Sequence, residues 1–283
     1  MRGVLRPAVT AAVFLVLTAC GEHSSATSPP PPTSAHPATA GLVLRVEDTG
    51  GFVSPSVATG RLPLVSVYAD GRVIAGGPRI ETYPAPALPN LQEHHIAPTA
   101  VQDLVDRALA AGVADTSDLG SPPIADATST RFTVVSGSHT YVREAYALTE
   151  TPAETDGLTE EQRTARSKLS DLRDALTGTP ADGVTSPYAP TAVAALAAPW
   201  SDPQNGQAQP DLPWPGPALP VRPLGGLPDL TCATATGDQA QTLLSAARSA
   251  NANTPWVTAD GSRWTVTFRP LLPDESSCAD LAH

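Results

Sequence analysis

The chain is short of lysine, of aromatic residues and of long apolar runs. Lys168 is the only lysine, the remaining cations are arginines, and 17 cations stand against 28 acids for a formal charge of −11. Nucleic-acid binding rests on neutralising phosphates with clustered Lys and Arg, so this balance argues against a nucleic-acid partner. It equally disfavours adhesion to anionic lipid through a basic surface. Aromatics reach only 5%, and the 41% hydrophobic fraction leans on alanine, so core-forming segments must be short. No apolar stretch attains the roughly 20 residues of a membrane-spanning helix. A P-loop, a dinucleotide fingerprint, an EF-hand loop, a Ser-x-x-Lys motif and a zinc ribbon are also missing. No motif implies a cofactor.

What is present begins at the N-terminus. Arg2 and Arg6 form a positive patch, and Ala8 to Leu17 is apolar except for Thr10, the layout of a secretory signal segment. It closes on Leu17-Thr18-Ala19-Cys20, which resembles a bacterial lipobox. That resemblance implies cleavage after residue 19, giving a signal peptide over 1–19 and Cys20 as a diacylglyceryl-modified N-terminus. Two acyl chains, each contributing about 0.8 kcal/mol per buried CH₂, hold a protein stably where one holds it reversibly. The expected location is the outer face of the cell membrane. A plain secretory signal with a chance cysteine is the alternative. Arg2 and Arg6 would leave with the segment, and no acid would, which takes the formal charge from −11 to −13.

Residues 20–40, with Ser, Thr and Ala around Pro29-Pro30-Pro31-Pro32, cannot bury a core and read as a tether. Extended as polyproline it would reach about 60 Å. Beyond it, alternation at Leu42, Leu44 and Val46 and the Asp70-Gly71 turn between Leu64–Tyr68 and Arg72–Ala75 predict a three-stranded antiparallel start. Further hairpins are expected over Gly137-Ser138 and Asp260-Gly261. Thr-x-x-Gln boxes at Thr99, Thr159 and Thr236 each precede an apolar stripe and predict three capped amphipathic helices.

Between Gly178 and Leu230 stand twelve of the 31 prolines, and only Thr191 to Ala198 is long enough for a strand. The expected fold is therefore α+β: an antiparallel sheet built of hairpins, with amphipathic helices on one face and long Pro-rich connections. Residues 41–283 divide in this reading into a lobe over 41–178, a Pro-rich connection over 179–228 and a C-terminal lobe over 229–283. Once Cys20 is lipidated, Cys232 and Cys278 remain as an even pair in an oxidising compartment, which predicts a disulfide. Closing its 46-residue loop is worth about 4 kcal/mol at most in the chain-entropy view.

Short blocks carry a wider resemblance: Leu44-Arg45-Val46, Gly50-Gly51-Phe52, Arg61-Leu62-Pro63, Tyr83 to Pro89, Thr254-Pro255-Trp256 and Arg269 to Glu275. In these the chain resembles a family of secreted lipoproteins from actinobacteria. The resemblance implies lipidation and an envelope location. It carries over no catalytic residue.

Candidate chemistry is sparse. Glu93-His94-His95 has metal-ligand types, but neighbours in an extended segment point to opposite sides, and H-E-x-x-H is absent. His139 beside Ser138 suggests a dyad that lacks both a third member and a G-x-S-x-G frame. Arg269 with Asp274 and Glu275 forms either a polar site at the end of the last strand or a locally bonded set. Tyr68, Tyr83, Trp256 and Trp264 could line a groove or fill a core. The leading expectation is a non-enzymatic lipid-anchored module that binds an envelope protein or polymer. An extracytoplasmic hydrolase with dispersed Asp, Glu or His residues is the rival, because paired carboxylates leave no local signature.

Overall fold

Turn chemistry dictates the first half of the fold. In the computed structural model, which describes residues 41–150, 157–178, 184–202, 209–221, 223–225 and 227–281, β1 (Leu42–Gly50) leads through a short helix α1 (Pro55–Gly60) into β2 (Val65–Tyr68). β2 turns over Asp70-Gly71 into β3 (Arg72–Gly76), where Gly71 takes φ +87°, the left-handed region the turn requires. β4 (Leu91–His95) pairs with β3, and a Pro-rich segment separates the two. Helix α2 (Pro98–Ala110) follows, then the hairpin of β5 (Thr128–Ser136) and β6 (His139–Tyr146), helix α3 (Glu160–Thr177) and the two-residue β7 (Ser186–Pro187). The seven strands make one antiparallel sheet in the order β6-β5-β1-β2-β3-β4-β7.

A second sheet takes up the rest: β8 (Ala192–Pro199), β9 (Leu212–Pro213), β10 (Pro223–Leu224), β11 (Leu227–Thr236), then helix α4 (Gly237–Ala247), β12 (Trp256–Val257) and β13 (Arg263–Pro270). Its order is β10-β11-β8-β13-β12-β9, antiparallel except where β9 runs parallel to β12. The architecture is thus α+β as expected, with two sheets in place of one. The strand expected within the Pro-rich connection is the reason: β8 lies at the centre of the second sheet, between β11 and β13. Its sequence AVAALAAP is buried on both faces, and small side chains there let other segments approach from both sides.

Each sheet owns a core. Leu44, Val46, Val65, Val67, Phe132 and Val134 of the first meet Val101 and Val105 of α2 and Leu169 and Leu172 of α3. In the second, Val193, Ala195, Val266 and Phe268 meet Leu243 and Leu244 of α4, with Trp256 packed edge-on against Phe268. Trp264, Val266 and Phe268, alternate residues of β13, all lie within this core. Cys232 of β11 and Cys278 are joined, their Cα atoms 5.9 Å apart, which ties the second sheet to the chain's last turn.

Only one of the three expected capping boxes forms. Thr159 accepts from the Gln162 amide, and the Gln162 side chain returns to the Thr159 amide. At α2, Pro98 fits the first helical position because its missing N–H is unpaired there anyway, so the helix begins two residues early, with Ala97 as its N-cap, and Thr99 falls inside it. At α4, Thr236 is still paired to Ala192 as the end of β11, and its side chain makes no cap hydrogen bond.

Candidate functional site

The candidates singled out by sequence scatter. Glu93, His94 and His95 form most of β4. The register sets Ile74 opposite Glu93, Val73 opposite His94 and Arg72 opposite His95, so Glu93 and His95 share a face and His94 takes the other. His95 Nε2 lies 3.5 Å from Glu93 Oε1, with the imidazole 63% exposed. Burial, aided by the charge of His95, lowers the pKa of His94. Among the described residues no three His, Cys, Asp or Glu side chains converge as a metal site would need. His139 stands at the exposed tip of its hairpin, 3.5 Å from Ser138 Oγ and stacked on Tyr141, and no carboxylate among the described residues orients it. The aromatic groove does not form: Tyr68, Trp256 and Trp264 are buried in cores, while Tyr83 is exposed.

What does converge is the charged set after β13. Pro270 ends the strand, Leu271 and Leu272 are buried, and the turn that follows brings Asp274 and Glu275 back onto the fold. Arg269 grips Glu275 with two bonds of 2.7 and 2.9 Å, and Glu275 also accepts the Leu272 amide at 2.8 Å. Asp274 reaches the first sheet. Arg45 of β1 donates to both its oxygens at 2.8 and 3.0 Å, and the Tyr68 hydroxyl of β2 donates to one at 2.8 Å. Together with Leu272 against Tyr68, Ile74 and Leu91, this joins the two sheets over the face of β2–β4 that the helices leave free.

A cleft of about 540 Å³ opens beside this junction, lined by Arg72, Glu93, Ser186, Tyr188, Thr191 and Pro273 among others. Arg72 is held at its Nε by Asp70 at 2.7 Å, and its guanidinium carbon lies 5.5 Å from the centre of the Tyr68 ring. Tyr188 donates to the Leu271 carbonyl at 2.8 Å. Burial is the main cause that keeps both phenols protonated. It pushes Tyr188 up to about 12, and with the Asp274 charge and hydrogen bond it pushes Tyr68 above the usual phenol range. Burial works to lower the Arg45 pKa, but the Asp274 charge, joined by weaker ones, leaves it raised. These groups are fixed donors and fixed charges rather than groups placed to exchange protons near neutrality.

Sequence reasoning finds Arg269, Asp274 and Glu275 as a possible cluster but not their partners, because Arg45 and Asp274 are 229 residues apart. One signal is available. Tyr68 is a large apolar-bodied residue on the face opposite Val65 and Val67, and the structure buries all four positions of β2, as in a strand covered on both sides. The chain matches no protein-family model and no curated protein sequence.

Proposed function

We propose that the protein is a lipid-anchored binding module on the outer face of the cell membrane, tethered through Cys20 and using the junction cleft to take a polar segment of an envelope protein or polymer. The anchor reading rests on the charge, apolar length and Leu17-Thr18-Ala19-Cys20 ending of the N-terminal segment, together with the short blocks that resemble actinobacterial lipoproteins. Residues 1–40 lie outside the described residues. The Cys232–Cys278 disulfide supports an oxidising compartment.

One observation carries the choice of binding over catalysis. The carboxylates around the cleft are each engaged by a cation: Asp274 by Arg45, Glu275 by Arg269, Asp70 by Arg72, and Glu93 by His95 when that imidazole is protonated. The arginine partners occupy their carboxylates, and Glu93 is the single carboxylate among the described residues that line the cleft, so no acid–base pair faces a bound chain. The cleft therefore offers hydrogen-bond donors and balanced charge, which suit an uncharged or zwitterionic polar chain. Two measurements test the reading. Cys20→Ala abolishes incorporation of labelled fatty acid and frees the protein into the medium; labelling that persists refutes the anchor. Crosslinked capture from the protein's own cells yields an envelope partner that Arg72→Glu loses. Turnover of a cell-wall or ester substrate that Glu93→Gln abolishes would replace binding with hydrolysis.

A further inference from the structure

Three of the four sheet edges are blunted in the same way. β7, β9 and β10 are two residues long, and each contains a proline: Pro187, Pro213 and Pro223. Short edge strands with proline are the usual defence against pairing with another chain, because proline supplies no N–H. The fourth edge has neither device. β6 runs for eight residues without proline, and among the described residues β5 is its only strand neighbour.

The groups this edge presents follow from the hairpin. Ser136 and His139 close a two-residue turn with Gly137 at φ +59°, so they form the hydrogen-bonded pair, and such pairs alternate along the ladder. His139, Tyr141, Arg143 and Ala145 are thereby bonded to β5, and the N–H and C=O of Thr140, Val142 and Glu144 point outward. The same three side chains are exposed, Val142 at 57%. On the other face Arg143 is buried and donates to the carbonyls of Asp115 and Ser117, which leaves it unable to reach a partner.

We infer that β6 is a self-pairing edge that joins two copies of this chain antiparallel about a two-fold axis through Val142. Self-complementarity selects the second copy and the register. With the axis at Val142, the two exposed valines meet, and Thr140 of each copy stands opposite Glu144 of the other, hydroxyl to carboxylate. An axis at Glu144 would set two carboxylates face to face, one at Arg143 would set Val142 against Glu144, and one at Tyr141 would set each Glu144 against the hairpin turn at Ser138 with no side chain to receive it. The result is one sheet continuing across both copies, with the helices of each on its own core.

The test uses the full-length chain in intact cells under mild oxidation. Opposed residues in a hydrogen-bonded antiparallel pair have Cα atoms about 5.5 Å apart, inside disulfide reach, whereas the two Thr140 positions would be roughly 14 Å apart. Val142→Cys therefore gives a disulfide dimer at least about tenfold more abundant than Thr140→Cys does, and Thr140→Cys combined with Glu144→Cys restores it. Retention of the Cys232–Cys278 bond in the remaining monomer reports that each variant has folded. Equal dimer yield from Val142→Cys and Thr140→Cys overturns the inference. So does a mixed disulfide between the Val142→Cys variant and a different protein, which would make β6 an edge for a foreign strand.

Discussion

Glu275 provides the sharpest test of how the junction is held. Its carboxylate and the Arg269 guanidinium are 7% and 4% exposed, joined by two hydrogen bonds, and Glu275 additionally receives the Leu272 amide. Removing one member of such a pair leaves a buried charge without its counterpart, at a cost of about 3–5 kcal/mol. Glu275→Gln keeps the size and one acceptor and removes only the charge. With a urea dependence of about 2 kcal/mol per molar, the unfolding midpoint falls by roughly 2 M. Equilibrium urea unfolding followed through the buried Trp256 and Trp264 reads this shift. The pair Glu160–Arg163 on α3 supplies the internal control: both side chains are more than half exposed, and losing that pair costs at most about 0.5 kcal/mol. Replacing both buried partners, Arg269→Met with Glu275→Leu, costs far less than Glu275→Gln alone, since no orphaned charge remains. A Glu275→Gln shift no larger than that of Glu160→Gln refutes the reasoning.

Helix caps and acid sensitivity give two further predictions. Thr159→Ala lowers stability by about 1 kcal/mol because it breaks a formed box, whereas Thr99→Ala and Thr236→Ala, which break no cap bond, stay within a few tenths of wild type; equal losses at all three would contradict the capping geometry. Glu144 is the pH-dependent case. Partial burial acts to raise its pKa, but hydrogen bonds from the Ser129 region, Arg131 and Thr49 outweigh it, and the pKa is lowered. A carboxylate depressed on folding contributes stability above its unfolded pKa and loses it as pH falls through the folded value. The stability difference between wild type and Glu144→Gln therefore shrinks on acidification, and a difference that stays constant from neutral to acid pH argues against the assignment.

Local chemistry in the sequence is a good guide wherever the structure is itself local. The hairpins over Asp70-Gly71, Gly137-Ser138 and Asp260-Gly261 are readable because turn residues that tolerate positive φ sit between alternating strands. β4 escapes such a reading because prolines at 84, 86 and 89 directly precede it and its polar sequence LQEHH lacks a strand's apolar alternation. β8 is legible as a strand but not as the centre of a sheet, since pairing partners leave no mark on a run of alanines. The capping boxes fail where a neighbour has a stronger preference: Pro98 for the first helical turn, and β11 for Thr236. At the site, Glu275 and Arg269 are close enough in sequence to suspect. The union of Asp274 with Arg45 and Tyr68 depends on the whole intervening chain, and no local pattern encodes it.

Helix α1 belongs by sequence to the first sheet, between β1 and β2, yet it lies against β8, β11 and β13 of the second. Gly60 comes so close that an added Cβ would stand 2.9 Å from Thr267 Cγ2 and 3.2 Å from Leu196 Cδ1. In the order in which the chain is made, α1 therefore waits for a surface that arrives much later. Contacts this distant in sequence slow folding and leave the early half unfinished for longer. A fragment ending before β8 is then no smaller version of the protein. It lacks the ground on which α1 rests and the turn that closes Tyr68 from water, so residues made much later decide when these earlier ones are complete.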